Sequence, residues 1–349
     1  MVKDEMYMSR CLELASKAMG NVAPNPMVGA VIVYEDKIIG EGYHRRYGES
    51  HAEVNAVNDA LLVQPPERLS ESTLYVSLEP CSHFGKTPAC TELIKSYRFK
   101  RVVIGCSDPF EKVNGKGIEI LRSAGIEVEE NVLKKEAEHL NRRFITYHTK
   151  NRPYIILKYA QSKDHFLAAT KPDEKNRWIS NVYSRKLVHR WRSEEQAIMV
   201  GTNTAIVDDP ALTVRDWNGK QPLRILLDRK LSVPNSAKLF DQTVNTLVFN
   251  ELKESIEEKI EFIKLDFMKN VIDQICKILY ERSIQSLIVE GGQKLLQSFI
   301  DSGIWDEARI ITGVSMLNEG LPAPKPGGKL FSSQEIGSDT LEIYYPQKK

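Results

Sequence analysis

The sequence predicts an α/β protein of two domains, each a sheet layered with helices. Three observations lead there. The chain of 349 residues exceeds the size of an ordinary single domain. Short apolar runs alternate with helix-forming segments along both halves. The pattern breaks at the polar, proline-bearing stretch Thr149-Lys-Asn-Arg-Pro153, which sets expected domains of 1–149 and 150–349.

In the first half, residues 28–34 and 37–43 read as two strands around a Glu35-Asp36 turn, a hairpin by spacing and apolar content. Ser50 is expected to open a helix running through Leu62, because Ser50-His51-Ala52-Glu53 has the form of a capping box followed by helix formers. Residues 73–77 form the next strand. Thr87 reads as an N-cap with Pro88 at the first helical position, which puts Cys90 in the first turn, where amides and the helix dipole favour thiolate. Residues 101–105 and 126–128 are further strands, with a helix around 117–124 between them.

Three segments of this half carry soft metal ligands: His51, Cys81 after Pro80, and Cys90. One imidazole and two thiolates suit Zn²⁺, and three protein ligands leave the fourth tetrahedral position to water, as in a catalytic site. The metal lowers the pKa of that water toward neutrality. Glu53 is then the unliganded carboxylate that carries protons between the water and a leaving amine. Taken alone, Glu53 reads as the partner of Ser50 in the capping box; the company of Cys81 and Cys90 makes it catalytic.

In the second half, residues 154–157, 197–200, 223–227, 246–249, 286–289 and 308–312 are short apolar runs separated by helical or loop segments, and 321–328 reads as a Pro/Gly loop. Glu290-Gly291-Gly292 follows the fifth run, ahead of a helix starting near Gln293, where backbone can approach a pyrophosphate at a helix N-terminus. No Gly-x-Gly-x-x-Gly follows a strand, which argues against a Rossmann domain.

Composition narrows the functional classes. Lys and Arg number 48 against 47 Asp and Glu, a net charge of +1, which removes the broad electrostatic attraction of a nucleic-acid binder. No stretch approaches the roughly 20 apolar residues of a membrane span, so no membrane partner is expected. The N-terminus Met1-Val-Lys-Asp-Glu-Met-Tyr7 has early acidic residues and no apolar h-region, so the expectation is no secretory signal and a cytoplasmic location. Five cysteines, an odd number, fit reduced thiols and a metal site better than disulfides.

The order His-x-Glu, Pro-Cys, Cys resembles the zinc nucleobase deaminases. Eight residues separate Cys81 from Cys90 where nucleic-acid-editing members usually space their cysteines as Cys-x-x-Cys, which points to a different substrate. Longer stretches narrow the match. Residues 24–33, His44, 50–53, 79–90 and 115–117 resemble the deaminase half of the bifunctional riboflavin-biosynthesis deaminase–reductases; 177–180, 189–192, 200–204, 208–215 and 289–292 resemble the reductase half. The resemblance covers essentially the whole chain. It implies an N-terminal cytidine-deaminase-like three-layer α/β domain and a C-terminal dihydrofolate-reductase-like α/β domain. It also implies hydrolysis of the 2-amino group of 2,5-diamino-6-ribosylamino-4(3H)-pyrimidinone 5′-phosphate with Zn²⁺, then reduction of the ribosyl chain to ribityl with NADPH. The partner is a small pyrimidine ribotide, and self-association through the reductase domain is expected.

Carried over position by position, the resemblance places Asn25, His44, His83, Lys86 and Asp108 on the first substrate; His83, two residues after Cys81, is the rival metal ligand. Ala160, Trp178, Thr204, Asp208 and the turn Gly291-Gly292-Gln293-Lys294-Leu295 line the NADPH site. Lys158, Asn176, Arg192, Leu212, Arg215 and Glu290 meet the second substrate, the two arginines through forked donors to its phosphate. Three positions depart from the family pattern. Phe110 stands where Asn is usual, which puts the Asp108 contact in doubt; His165 replaces the glycine of a turn beside the nicotinamide, which is expected to change that turn; Arg229 replaces a small hydroxyl residue after Asp228, which is expected to shift a cofactor contact. Two other readings are a nucleic-acid deaminase with an accessory domain, disfavoured by the cysteine spacing and the charge, and a binding module with a structural zinc.

Overall fold

The computed structural model describes residues 2–82, 88–109, 115–170 and 178–347. The chain forms two units, Met1–Asn151 and Arg152–Lys349. In the first, α1 (Val2–Ser16) leads into β1 (Gly29–Tyr34), β2 (Lys37–Tyr43), α2 (Ala52–Ala60), β3 (Thr73–Leu78), α3 (Cys90–Tyr97), β4 (Arg101–Cys106), α4 (Lys116–Ser123), β5 (Glu127–Glu129), α5 (Lys134–Leu140) and α6 (Arg142–Lys150). The sheet order is β2-β1-β3-β4-β5. Strand β1 pairs antiparallel with both neighbours, and β3, β4 and β5 run parallel.

Both turn residues of the hairpin have positive φ, 47° at Glu35 and 61° at Asp36, the twist that a two-residue hairpin loop requires. Side chains alternate across the sheet. Ala30, Ile32, Leu74, Val76, Val102 and Ile104 pack under α2, α3 and α4, while Val31, Val33, Tyr75 and Val103 pack under α1. The central strands are buried on both faces and so read as continuous apolar runs. Helix α2 lies almost backbone to backbone on β2, since a Cβ on Gly42 would stand 2.4 Å from the Ala56 nitrogen. That close approach positions the helix start that carries His51 and Glu53.

Two helix starts differ from expectation. Helix α2 begins at Ala52 with His51 as N-cap and no side-chain cap, and it ends at Ala60 rather than Leu62. Ser50 is not the cap, because its carbonyl is drawn to the Asn55 amide at 3.2 Å and to His44 Nδ1 at 3.1 Å. Helix α3 begins at Cys90 with Ala89 as N-cap, so Pro88 lies outside it; Thr87 lies outside the described residues. The reason is tertiary: Cys81 Sγ accepts from the Cys90 N–H at 3.3 Å, and the Cys81 carbonyl accepts from the Thr91 N–H at 3.2 Å. The Cys81 turn caps α3 in place of a local side chain.

The second unit runs β6 (Tyr154–Gln161), β7 (Phe166–Ala169), α7 (Val182–Glu194), β8 (Ala197–Gly201), α8 (Thr202–Asp208), β9 (Leu223–Leu227), β10 (Thr246–Asn250), β11 (Ser255–Glu257), β12 (Ile260–Lys264), α9 (Val271–Glu281), β13 (Ser286–Val289), α10 (Gln293–Ser302), β14 (Glu307–Thr312), β15 (Gly320–Pro322), β16 (Lys329–Ile336) and β17 (Asp339–Tyr345). Among the described residues, ten strands form one sheet in the order β11-β12-β10-β9-β8-β13-β6-β14-β17-β16, parallel from β12 through β14. Ile155, Leu157, Met199, Ile225 and Phe249 face α9 and α10; Ile156, Ile198, Leu226 and Val248 face α7 and α8.

Strands β7, β11, β12, β15, β16 and β17 have no counterpart in the sequence reading, and the expected Pro/Gly loop begins as β15. Strand β16, Lys329-Leu-Phe-Ser-Ser-Gln-Glu-Ile336, is a mostly exposed edge and carries no apolar run to reveal it.

The Ser162–His165 turn joins β6 to β7. Its His165 adopts φ 66°, a left-handed conformation that glycine takes without steric cost. Ser162 Oγ donates to Asp164 Oδ1 at 2.6 Å, and Asp164 also accepts from the Leu317 and Asn318 N–H groups; the hydroxyl first, then these amides, hold its carboxyl down at about 2. The backbone network over-determines the strained residue. His165→Gly is expected to raise stability by about 1 kcal/mol; an unchanged or lower melting temperature would refute this.

Candidate active sites

The metal-ligand triplet assembles from three elements. His51 ends the loop before α2, Cys81 follows the carboxyl end of β3, and Cys90 opens α3. Their ligand atoms lie within 4.8 Å of one another. His51 Nδ1 stands 3.3 Å from Cys90 Sγ and 3.6 Å from Cys81 Sγ. These separations fit one tetrahedral zinc, whose bonds of about 2.0 Å to nitrogen and 2.3 Å to sulfur give nitrogen-to-sulfur edges of about 3.5 Å. Among the described residues it is the one such cluster of three.

The site is wired for anionic sulfur. A hydrogen bond from Cys90, aided by His51, draws the Cys81 thiol down to about 4 against the cost of burial. Cys90 is pushed up, because it shares its proton with Cys81 and is buried, and His51 is raised by its hydrogen bond to Cys81. Metal binding releases these protons. Glu53 is 3% exposed on the first turn of α2, and burial, then the Cys81 charge, raises its carboxyl. A buried carboxyl raised in this way is suited to take up a proton and give it back.

Asn25 and His44 stand beside this cluster. His44 is buried, its Nδ1 lies 3.1 Å from the Ser50 carbonyl, and its Nε2 lies 3.1 Å from Asn25 Nδ2. A carbonyl only accepts, so Nδ1 carries the ring proton and Nε2 accepts from the Asn25 amide. Burial lowers the His44 pKa and keeps the ring neutral. The His44 and His51 rings meet edge to face at 5.4 Å. His83 and Lys86, and the Phe110 departure, lie outside the described residues.

Sequence reasoning gave no role to Glu79. Its buried carboxylate accepts from the Asp108 N–H at 3.2 Å, the Gly115 N–H at 3.0 Å and the Gly117 N–H at 2.9 Å. It therefore ties the turn that carries Cys81 to the segment that carries Asp108. A Cβ on Gly117 would stand 2.3 Å from the Pro80 carbonyl, which explains the second glycine of Gly115-Lys-Gly117. The available signal was a carboxylate at the end of an otherwise apolar strand.

In the second unit the candidate residues gather at the carboxyl ends of the parallel strands, the usual ligand edge of such sheets. Lys158 and Ala160 lie on β6, Thr204 and Asp208 on α8, and Glu290 follows β13. Gly292 is the N-cap of α10 without a side-chain cap, and its N–H donates to Thr204 Oγ1 at 2.8 Å. A Cβ on Gly291 would press on Leu295 at 3.1 Å, and one on Gly292 on Thr204 Oγ1 at 3.2 Å. This bare-backbone helix start, continued by Gln293 and Lys294, fits the pyrophosphate of a dinucleotide. Trp178 is 61% exposed with the Arg185 guanidinium 5.0 Å above its ring.

Glu290 binds two cations. Arg192 Nη2 donates to it at 2.7 Å, and Lys158 Nζ lies 3.7 Å away. Burial alone would raise the Glu290 carboxyl, but Arg192 and Lys158 outweigh it and hold it at about 2; burial lowers Lys158. Arg192 also donates to the Thr213 carbonyl at 3.3 Å. Leu212 has a positive φ of 52° and a buried side chain. Arg215 is exposed. Asn176 lies outside the described residues. Arg229 is held by Glu251 at 2.6 Å and lies 5.0 Å over the Phe267 ring.

Comparison with known proteins matches both units. The cytidine and deoxycytidylate deaminase zinc-binding region matches residues 1–106, and the RibD C-terminal domain matches 153–329. The chain is 45% identical over 327 residues to the riboflavin biosynthesis protein RibD of Aquifex aeolicus, covering 91% of this chain and 89% of that protein. It is 34% identical over 334 residues to the RibD of Escherichia coli, covering 90% and 89%. Among solved structures it is similar to a diaminohydroxyphosphoribosylaminopyrimidine deaminase/5-amino-6-(5-phosphoribosylamino)uracil reductase from Thermotoga maritima, with a TM-score of 0.91, 37% identity and 99% of each chain covered. Acinetobacter baumannii RibD follows with a TM-score of 0.88, 30% identity and 99% coverage of both chains.

Proposed function

Because the chain belongs to the RibD family of bifunctional riboflavin-biosynthesis deaminase–reductases, we propose that residues 1–149 carry the deaminase and residues 150–349 the reductase. The enzyme hydrolyses the 2-amino group of 2,5-diamino-6-ribosylamino-4(3H)-pyrimidinone 5′-phosphate and reduces the ribosyl chain of the product to ribityl. The observation that supports the first activity best is the convergence of His51, Cys81 and Cys90 within 4.8 Å beside the buried Glu53.

His51, Cys81 and Cys90 would hold Zn²⁺, which when bound would supply the Lewis acidity that activates a water. Glu53 moves the proton from the attacking water to the ring nitrogen and the departing ammonia. Asn25, its amide oriented by His44, reads the edge of the pyrimidine, with Asp108, His83 and Lys86 completing the substrate set. Glu79 keeps the Asp108 segment in register with the Cys81 turn.

The second unit would hold NADPH, which when bound would supply the hydride. The Gly291-Gly292 start of α10 and Thr204 would take its pyrophosphate, with Ala160, Trp178, Asp208, Gln293, Lys294 and Leu295 around it. Lys158, held by Glu290, meets the ribosyl chain, and Arg215 with Arg192 receives the 5′-phosphate, while Leu212 and Asn176 border it.

The test is to supply the diaminopyrimidinone ribotide to the full chain and follow product mass and ammonia. Ammonia release without NADPH, then uptake of a hydride and a proton once NADPH is added, is the expected result. Dialysis against a chelator should abolish ammonia release and leave reduction of the deaminated ribotide intact, with recovery on adding Zn²⁺. Undiminished deamination by metal-free protein would overturn the reading.

The enzyme acts on a small molecule, and among the described residues no helix is long and apolar enough to cross a membrane. Five free cysteines and a net charge of +1 support a cytoplasmic location and argue against a nucleic-acid partner. Strand β16, an edge of the ten-stranded sheet with Leu330 and Phe331 exposed, supports self-association through the reductase domain. Light scattering that returns a monomer at working concentration would remove that proposal.

A further inference from the structure

We propose that His189 is a positioning residue of the reductase, which holds the backbone of Arg215 and thereby aims the guanidinium at the substrate's phosphate. The inference rests on the assignment of Arg215 to that phosphate made above. His189 lies on α7, one turn before Arg192, and its ring is buried. Its Nδ1 accepts the Arg215 N–H at 3.1 Å. An amide nitrogen only donates, so Nδ1 carries a lone pair and the ring proton sits on Nε2, which faces Asp216 Oδ2 at 3.5 Å.

Two side chains of one helical face thus grip the loop: Arg192 donates to the Thr213 carbonyl and His189 accepts from the Arg215 N–H. Gln221 clamps the residue between them, accepting the Val214 N–H at 2.7 Å and donating to its carbonyl at 3.0 Å. The Arg215 side chain itself is exposed and makes no hydrogen bond or ion pair among the described residues. A fixed backbone under a free guanidinium is preorganisation for an anion.

The charged groups facing the ring are Asp216 and Arg215 from the loop, Arg192 from its own helix and Glu290 from the end of β13. Burial, then Arg192, lowers the His189 pKa and keeps the ring neutral. Protonation would set a second N–H against the Arg215 N–H. The grip is therefore present above the lowered pKa and lost as pH falls through it.

The test measures KM and kcat for NADPH-dependent reduction of the deaminated ribotide by the full chain. His189→Phe should raise KM about tenfold, the loss of one buried hydrogen bond, with kcat nearly unchanged. His189→Asn, whose Oδ1 can accept the same N–H, should restore KM. Wild-type KM should climb on acidification, and in His189→Asn the part beyond the phosphate's own titration should vanish. Arg215→Ala should raise KM more than His189→Phe, and the tryptophan fluorescence of each variant, from four residues that all lie in Arg152–Lys349, reports that this unit is folded. If Arg215→Ala raises KM and His189→Phe does not, or if His189→Asn behaves like His189→Phe, the inference fails and the phosphate assignment stands. If Arg215→Ala leaves KM unchanged, both fail.

Discussion

Glu53→Gln is expected to lower deaminase turnover on the order of 10³-fold, the usual worth of a positioned acid–base group, while zinc content and reductase turnover stay at wild-type level. The substitution is isosteric, and Glu53 is not one of the three clustered ligands, so the metal site should persist. The amide cannot accept the proton from water. Stability supplies a second readout with a definite sign. Burial raises the Glu53 carboxyl, so the native state favours its neutral form and loses stability as pH rises through the raised value. A permanently neutral glutamine removes that loss, and the metal-free variant should unfold no more easily than wild type at neutral pH. Ammonia release within tenfold of wild type, with zinc bound, would show that another group moves the proton.

Glu290→Gln should destabilise the second unit by about 3 kcal/mol or more and abolish reduction, because it strands two cations that the fold has taken out of water. The side chains of Lys158 and Arg192 are only 14% and 12% accessible, and Glu290 is the carboxylate paired with both. Its carboxyl is held near 2, so the stability it contributes is present above the ordinary carboxylate range and disappears as pH falls toward that value. The variant should lack this acid limb. All four tryptophans, Trp178, Trp191, Trp217 and Trp305, lie in Arg152–Lys349, so their fluorescence in a urea titration reports this unit alone. Replacing Lys158 by Met in the same chain should recover part of the loss, as expected of coupled neighbours. A shift below about 1 kcal/mol would mean that water already screens the cluster.

Much of the first site was legible because metal ligands and a strand end announce themselves by residue type and spacing. His51, Cys81 and Cys90 were named from the chain and converge in space, and Glu53, also named, interacts with all three. The capping of α2 and α3 was misread for a physical reason. A capping box is a local rule, and here the Asn55 amide and the Cys81 sulfur, nine residues from Cys90, took the groups that local partners would have held. In the second unit the long parallel strands were visible as apolar runs, whereas β16 was hidden because an exposed edge has no apolar face to display.

Residue chemistry and periodicity determined the two-domain α/β plan and singled out the proposed zinc ligands and their carboxylate, since these are properties of short segments. Tertiary structure alone decided that Glu79 clasps Gly117 across 38 residues, that Arg192 reaches Glu290 across 98, and that His189 holds Arg215 across 26. Such pairings form when sheet packing brings strand ends together and buries their polar groups, which must then find partners wherever the fold has placed them.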